Sequence, residues 1–600
     1  MEFRVWAPQV QNLAVMILGE RKLTLPMSPG PDGEFSLVVP DLLQDVEYFY
    51  ALPGGRLRPD PVSRSQPHGV HGPSRVVNPA TFQWHDQSWR GIPLEKYVLY
   101  ELHTGTFTPE GTFEAIIPRL DRLRDLGTTA VELMPVGEFP GSRNWGYDGV
   151  FPYAPHSSYG GPSGLKNLID ACHGKGLAVV LDVVYNHLGP EGNYLWEFGP
   201  YFTHAYKTPW GAAVNFDGPG NQSVRRYFIE NALYWLAEFH VDALRLDAIH
   251  GIFDGGPCHI LEELSEIFHR EAGQLGRLAW LIAESNLNDP RAIQPRSVGG
   301  YGPDALWCDD YHHSIIAHLT GSRSGYLGEF GSLGEIADTI KHGIIYEGPY
   351  SKGRHRSRAN SSKQVPGSAL VAYIQNHDQI ANTCQGKRLA RLATFEQYKL
   401  YAAVLFCSPF LPMLFMGQEF GETAPFLYFT SHGDPALAGS VREGRRKEFA
   451  ELWPESDVPD PQSEQTFQKC KISPDVGEGE HRQELFRLHQ KLIALRKEHL
   501  ALANCRKELV SVDFDEGSGW LVLERADPSG RRALLVCNLQ EEAQEIPLGG
   551  TGWELALWTG AVEFGGSPKG TEPPSKLTAV AETSPGLRLD GRSAAIYFGT

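Results

Sequence analysis

Four short stretches restrict what this chain can fold into: Leu181-Asp-Val-Val-Tyr-Asn-His187, Leu244-Arg-Leu-Asp-Ala-Ile-His250, Leu281-Ile-Ala-Glu-Ser-Asn286 and Tyr373-Ile-Gln-Asn-His-Asp378. Each opens as an apolar run, the pattern of a strand buried on both faces, and closes on acidic, histidine or arginine side chains. Segments with helical periodicity separate them. Apolar strands that end in polar groups, repeated along a chain, predict a parallel (β/α)8 TIM barrel with its active site at the C-terminal rim. Three carboxylates, Asp247, Glu284 and Asp378, then converge on one pocket.

At 600 residues the chain exceeds what one core supports, so several domains are expected. Residues 1–90 alternate short apolar runs with Pro/Gly turns and read as an N-terminal β-sandwich. Residues 91–503 read as the barrel, its strands at Tyr97–His103, Thr129–Met134, Leu177–Val184, Val241–Leu246, Leu278–Ala283, Ala305–Trp307, Leu370–Ile374 and Pro412–Met416. A helix is expected from Phe113 to Leu126, where Phe113, Ile116, Leu120 and Leu123 share one face and Gly127 ends it. A basic helix from Glu484 to His499 closes the barrel, and residues 504–600 return to an all-β pattern.

A formal charge of -18 argues against nucleic acid or an anionic membrane surface as partner and favours a neutral substrate. The eight cysteines, Cys384 among them, are scattered without a C-x-x-C pair, as in reduced thiols of a cytoplasmic protein. No apolar run approaches the ~18 residues of a membrane span, and the N-terminus has no basic-then-apolar leader. No metal-ligand cluster and no cofactor motif stands out.

The chemistry these residues permit is glycosidic bond cleavage, which needs a carboxylic acid to protonate the leaving oxygen and a carboxylate facing the anomeric carbon. Arg245 lies two residues before Asp247, so both side chains point to one face of the strand. A guanidinium there keeps the carboxylate charged and aimed, which favours Asp247 as nucleophile. Glu284, at the end of the next strand, suits a general acid with a raised pKa. Asp378 suits binding of ring hydroxyls, Asp182 support of Arg245, and His187 donation to a sugar hydroxyl. His103 and His250 read equally as packing residues or substrate contacts, and Asn186 as a loop tie or a ligand contact.

These four segments resemble, in order, the hallmark regions of the α-amylase superfamily. The resemblance implies that Asp247, Glu284 and Asp378 act as nucleophile, acid/base and transition-state stabiliser. It also implies that Arg245, His187 and His377 contact the sugar being cleaved, and that Tyr147 in Asn144-Trp-Gly-Tyr-Asp148 stacks on it. The opening Phe3-Arg-Val-Trp-Ala-Pro8 resembles the N-terminal sandwich of the isoamylase and branching-enzyme branch. Tyr100–Phe113, Glu138–Asp148, Phe198-Gly-Pro-Tyr-Phe202 and Phe415-Met-Gly-Gln-Glu-Phe420 resemble the superfamily members that release trehalose from maltooligosyltrehalose. That narrower resemblance implies α-glucans capped by trehalose as substrate and a pathway shared with a trehalose-forming synthase; a branching or debranching enzyme is the alternative. The chain departs from many amylases after the nucleophile, where His250 and Gly251 replace a Lys-His pair. Asn286, Asn288, Asp289 and Phe253 are the expected walls of a trehalose pocket, with specificity carried by the loops Glu138–Asp148, His250–Asp254 and Ser285–Asp289.

Overall fold

A computed structural model describes residues 1–599 except 21, 41, 43, 44, 346–349, 352–355, 358, 359, 453–457, 474, 475, 478, 480, 550, 551 and 578–585. Eight parallel strands close into a barrel in chain order: β1 (Leu99–Leu102), β2 (Ala130–Leu133), β3 (Ala178–Val183), β4 (Ala243–Leu246), β5 (Trp280–Ala283), β6 (Ala305–Trp307), β7 (Leu370–Tyr373) and β8 (Leu411–Phe415), which pairs back onto β1. Helices on the outside include α1 (Gly161–Gly174), α2 (Asn221–Glu238), α3 (Ile260–Gln274), α4 (Asp309–Thr320), α6 (Phe395–Cys407) and α7 (Arg482–Glu498), and the short α5 (His377–Ala381) follows β7 at the cavity.

Strand periodicity decides what faces inward. Leu99, Ala130, Val180, Ala243, Ile282, Ala305, Val371 and Met413, one from each strand, belong to a single buried cluster that fills the lower barrel. The residues between them, such as Val131, Leu181, Leu244 and Leu281, pack outward in the large core with the helices. Two residues further along the inward set, the apolar filling gives way to Glu101, Glu132, Asp182, Arg245 and Glu284. The charged layer of the barrel is therefore the continuation of its apolar one.

The expected helix over Phe113–Leu126 is broken at Pro118, whose missing N–H and ring interrupt the α ladder. Phe113–Ile116 and Leu120–Leu126 are helical, and Ile117–Arg119 forms a 3-10 turn between them. Gly127 takes the left-handed conformation (φ 101°) that ends the second piece. Antiparallel sheets flank the barrel on both sides in sequence. Three strands and five strands form the N-terminal sheets over Glu2–Arg75, and sheets of six and two strands form the C-terminal ones over Val510–Gly599. Among the described residues no helix is long and apolar enough to cross a membrane.

Beneath the barrel a charged knot ties the segment before β1 to the strand starts. His173 at the end of α1 has Nδ1 2.7 Å from Asp86 and Nε2 2.9 Å from Asp242. Trp89 stacks on the His173 ring at 4.7 Å and donates to Asp242 at 2.6 Å. Two carboxylate acceptors require a proton on both ring nitrogens, so His173 is an imidazolium. Burial opposes that charge, but the hydrogen bonds and charges of Asp242 and Asp86 outweigh it and raise its pKa. A raised histidine pKa stabilises the fold fully below the unfolded-state value, and the contribution is lost as pH rises through the folded-state value. The His173→Gln protein should therefore melt below wild type by a margin wider at about pH 6 than at about pH 9. A pH-independent gap in thermal melts would contradict the assignment.

Candidate active site

The site is organised around one side chain. Arg245, inward-facing on β4 and almost fully buried, places Nη1 2.8 Å from Asp182 of β3 and 2.8 Å from Asp247 just past β4. Its Nη2 lies 3.7 Å from Glu284, just past β5. Register explains the first contact, because Asp182 is the direct cross-strand partner of Arg245. The guanidinium also rests on the indole of Trp307 from β6, 4.3 Å from the ring centroid. Breaking a buried pair of this kind by removing one partner costs about 3–5 kcal/mol, because the other charge is stranded.

Asp247 is held from its other side by Asn186, whose amide donates to its Oδ2 at 2.8 Å. Glu284 accepts from the backbone N–H of Ala248 at 2.7 Å. Ala248 reaches that position only with φ 41° and ψ 50°, a left-handed backbone that costs a non-glycine residue about 1–3 kcal/mol. The strain turns the residue after Asp247 toward the Glu284 carboxylate. Enclosure by protein pushes the Glu284 pKa up to about 8; Arg245 opposes the shift, and the negative charges of Asp247, Asp309 and Asp378 add to it. Asp182 is pushed up to about 6, mainly by burial and against the pull of Arg245. Below Arg245, Glu132 pairs in register with Glu101, and burial followed by the Glu101 charge raises its pKa well above the carboxylate range.

Asp378 lies beyond the end of β7, as expected, in the first turn of α5. Asn376 caps that helix by accepting from Gln379 N at 2.8 Å, and Asn382 donates to Asp378 at 2.9 Å. Asp378 is open to the same cavity of about 480 Å³ that Asp247 and Glu284 line. The three carboxylates picked out in the sequence thus come together.

Tyr147 and His377, in the lining of the same cavity, stack at 5.4 Å with an interplanar angle of 26°. His377 Nδ1 meets Glu101 at 2.5 Å, and its Nε2 lies 2.9 Å from the Tyr147 hydroxyl, which donates onward to Asp182 at 2.7 Å. Burial would lower the His377 pKa, yet the charge and hydrogen bond of Glu101 raise it overall. A proton donated by His377 to Tyr147 orients the phenol for Asp182. His187 also lines the cavity, but both its nitrogens face carbonyl oxygens of the protein, Asn186 Oδ1 at 2.5 Å and Tyr147 O at 2.9 Å. Its ring stacks on Trp210 at 4.7 Å and 5°.

His250 and Asn286 line the cavity as well. Asp289 and Phe253 do not: Asp289 caps the turn Pro290–Ala292 and pairs with Arg291 at 2.8 Å, and Phe253 stacks on Tyr206 at 5.1 Å. Asn288 is fully buried and donates to Asp310 at 2.7 Å, and His103 is buried against Asn144 O at 2.9 Å. Sequence reasoning missed Glu101, Trp307 and Asp309, which the rule used for the four stretches would have found, since each sits at or past the end of an apolar strand. Trp210 carries no such signal. It sits at the tip of the hairpin Phe202–Thr208/Gly211–Val214, inserted after β3, and only the folded chain brings it onto His187. Among the described residues no group of three or more His, Cys, Asp and Glu side chains could hold a metal ion.

A closed (β/α)8 barrel with an arginine-centred carboxylate cluster at its C-terminal rim defines the class: a glycoside hydrolase of the α-amylase type. The model of the alpha amylase catalytic domain matches residues 63–208. The chain is 43% identical to the malto-oligosyltrehalose trehalohydrolase of Saccharolobus solfataricus across 92% of both chains. It is 44% identical to that of Mycobacterium tuberculosis across 93% of this chain and 95% of the other. A solved structure of a putative alpha amylase from Salmonella typhimurium superposes with a TM-score of 0.89 at 36% identity, covering 100% of this chain and 97% of that one. The chain belongs to the malto-oligosyltrehalose trehalohydrolase family.

A general acid works in its protonated form, so activity is lost as pH rises through its pKa. If Glu284, raised to about 8, is that acid, the basic limb of kcat/KM bends near that pH and then falls about tenfold per unit. A pH–rate profile already falling steeply from about pH 5 would contradict the assignment.

Proposed function

We propose that this chain hydrolyses the α-1,4-glucosidic bond next to the terminal trehalose of maltooligosyltrehalose, releasing trehalose and a shortened maltooligosaccharide. The observation that carries the chemistry is the single Arg245 guanidinium shared by Asp182, Asp247 and Glu284. Asp247, ion-paired and gripped by Asn186, attacks the anomeric carbon. Glu284, kept protonated, delivers its proton to the leaving oxygen and later takes one from water. Asp378 binds hydroxyls of the attacked ring, and Tyr147 offers that ring an aromatic face. Two carboxyl groups leaning on one guanidinium from adjacent strand ends suit the ~5 Å spacing of retaining enzymes, so the product keeps its anomeric configuration. The substrate assignment rests on identity of more than two-fifths to trehalohydrolases over nine-tenths of the chain.

The same reading takes residues 1–90 and 504–600 as β-domains flanking a catalytic domain of 91–503. It also places the protein in the cytoplasm, working on the product of a trehalose-forming synthase. The seven cysteines with described side chains, all free and most of them buried, support a reducing compartment; the side chain of Cys384 lies outside the described residues.

Incubation with maltooligosyltrehalose followed by chromatography and NMR tests the reaction. Free trehalose should appear with the new glucan end initially in the α configuration, and Asp247→Asn should lower kcat by about 10⁴-fold or more. New α-1,6 branches, or turnover intact in Asp247→Asn, would contradict it.

A further inference from the structure

Two adjacent acids open helix α4, and the fold treats them differently. Asp310 is fully buried and structural: Oδ1 accepts from Asn288 at 2.7 Å and Oδ2 from the backbone N–H of Ile345 at 3.1 Å. Asp309 belongs to the wall of the catalytic cavity. Its Oδ1 is fixed by the Tyr373 hydroxyl and, at 3.4 Å, by the Gln379 amide. Among the described residues nothing donates to Oδ2 and no cation pairs with the group, yet Oδ2 is not an enclosed, unpaired atom. It is therefore reachable from the cavity.

Barrel order fixes where that oxygen stands. Strand β6 lies between β5 and β7, so Asp309, two residues past Trp307, sits between the positions that launch Glu284 and Asp378. Asp309 and Glu284 line one cavity, and the Asp309 charge acts on Glu284, so the two carboxyls are neighbours. A leaving sugar that takes its proton from Glu284 therefore comes close to Asp309. A carboxylate with one oxygen clamped and the other open accepts hydrogen bonds but donates none, which suits a ligand that presents hydroxyl groups.

We propose that Asp309 is a substrate-binding residue whose Oδ2 accepts a hydrogen bond from a hydroxyl of the leaving trehalose unit. This rests on the trehalose-releasing reading above and adds a residue that discriminates the leaving sugar. A hydrogen bond to a charged acceptor in such a place is worth about tenfold or more in affinity. Asp309→Ala removes the acceptor. Asp309→Asn keeps an oxygen for Tyr373 and Gln379 but sets an NH2 group where Oδ2 stood.

Isothermal titration of trehalose into wild type and both variants, with kinetics on maltooligosyltrehalose and thermal melts, tests the proposal. Asp309→Ala should bind trehalose about tenfold or more weakly and lose kcat/KM in parallel, with Asp309→Asn intermediate and melting as wild type does. Variants that bind trehalose as tightly as wild type would overturn the inference. If wild-type enzyme released no trehalose from the substrate, the functional reading itself would fall, and the two failures are told apart by that control.

Discussion

The site depends on a buried arginine that has more acids than it can neutralise. Arg245 touches Asp182 and Asp247 at ion-pair distance and lies within 3.7 Å of Glu284, while Trp307 closes its lower face. One positive charge cannot compensate three carboxylates in an enclosed site, so a proton must be retained among them. The geometry decides where. Asp247 takes the direct contact and a second donor from Asn186. Glu284 takes the longer one, with the negative charges of Asp247, Asp309 and Asp378 around it. Enclosed and ringed by those charges, Glu284 is the carboxyl whose pKa rises to about 8.

Everything around Arg245 serves to hold that imbalance in place. The inward set of strand residues delivers Glu101, Asp182, Arg245 and Glu284 to one level because each continues an apolar inward run. The His377–Tyr147–Asp182 chain fixes the far side of Asp182, and Glu101 anchors His377 by both Nδ1 and the backbone N–H. The left-handed turn at Ala248 stores strain where it supplies Glu284 with a donor. The charged knot around His173 works at the other end of the barrel, away from chemistry, and locks the segment before β1 against the strand starts.

How much of this was legible in the sequence follows from the range of the forces involved. Strand order and the three carboxylates were readable because β periodicity and strand-end polarity are local patterns. The break at Pro118 was readable in principle and was overridden by the spacing of Phe113, Ile116, Leu120 and Leu123. The short helix that carries Asp378 past β7 starts at the Asn376 cap, a local signal masked by the apolar run before it. Two of the contacts that the sequence pattern does not reveal are long-range: Trp210 reaches His187 through a hairpin inserted after β3, and Phe253 is drawn to Tyr206 of that hairpin. No period within a window of residues encodes those pairings. Asp289 is the local exception, an Asp-Pro cap on the turn that follows it.

The central claim, that Arg245 reserves Asp247 for attack and leaves the proton on Glu284, has a direct chemical test. An activated maltooligosyl fluoride supplied to Glu284→Gln needs no acid to depart, and the crippled base slows release of the intermediate. Mass spectrometry of the digested enzyme should then find the glycosyl unit on the peptide containing Asp247. An adduct on another residue, or inversion of configuration with no adduct, would contradict the account.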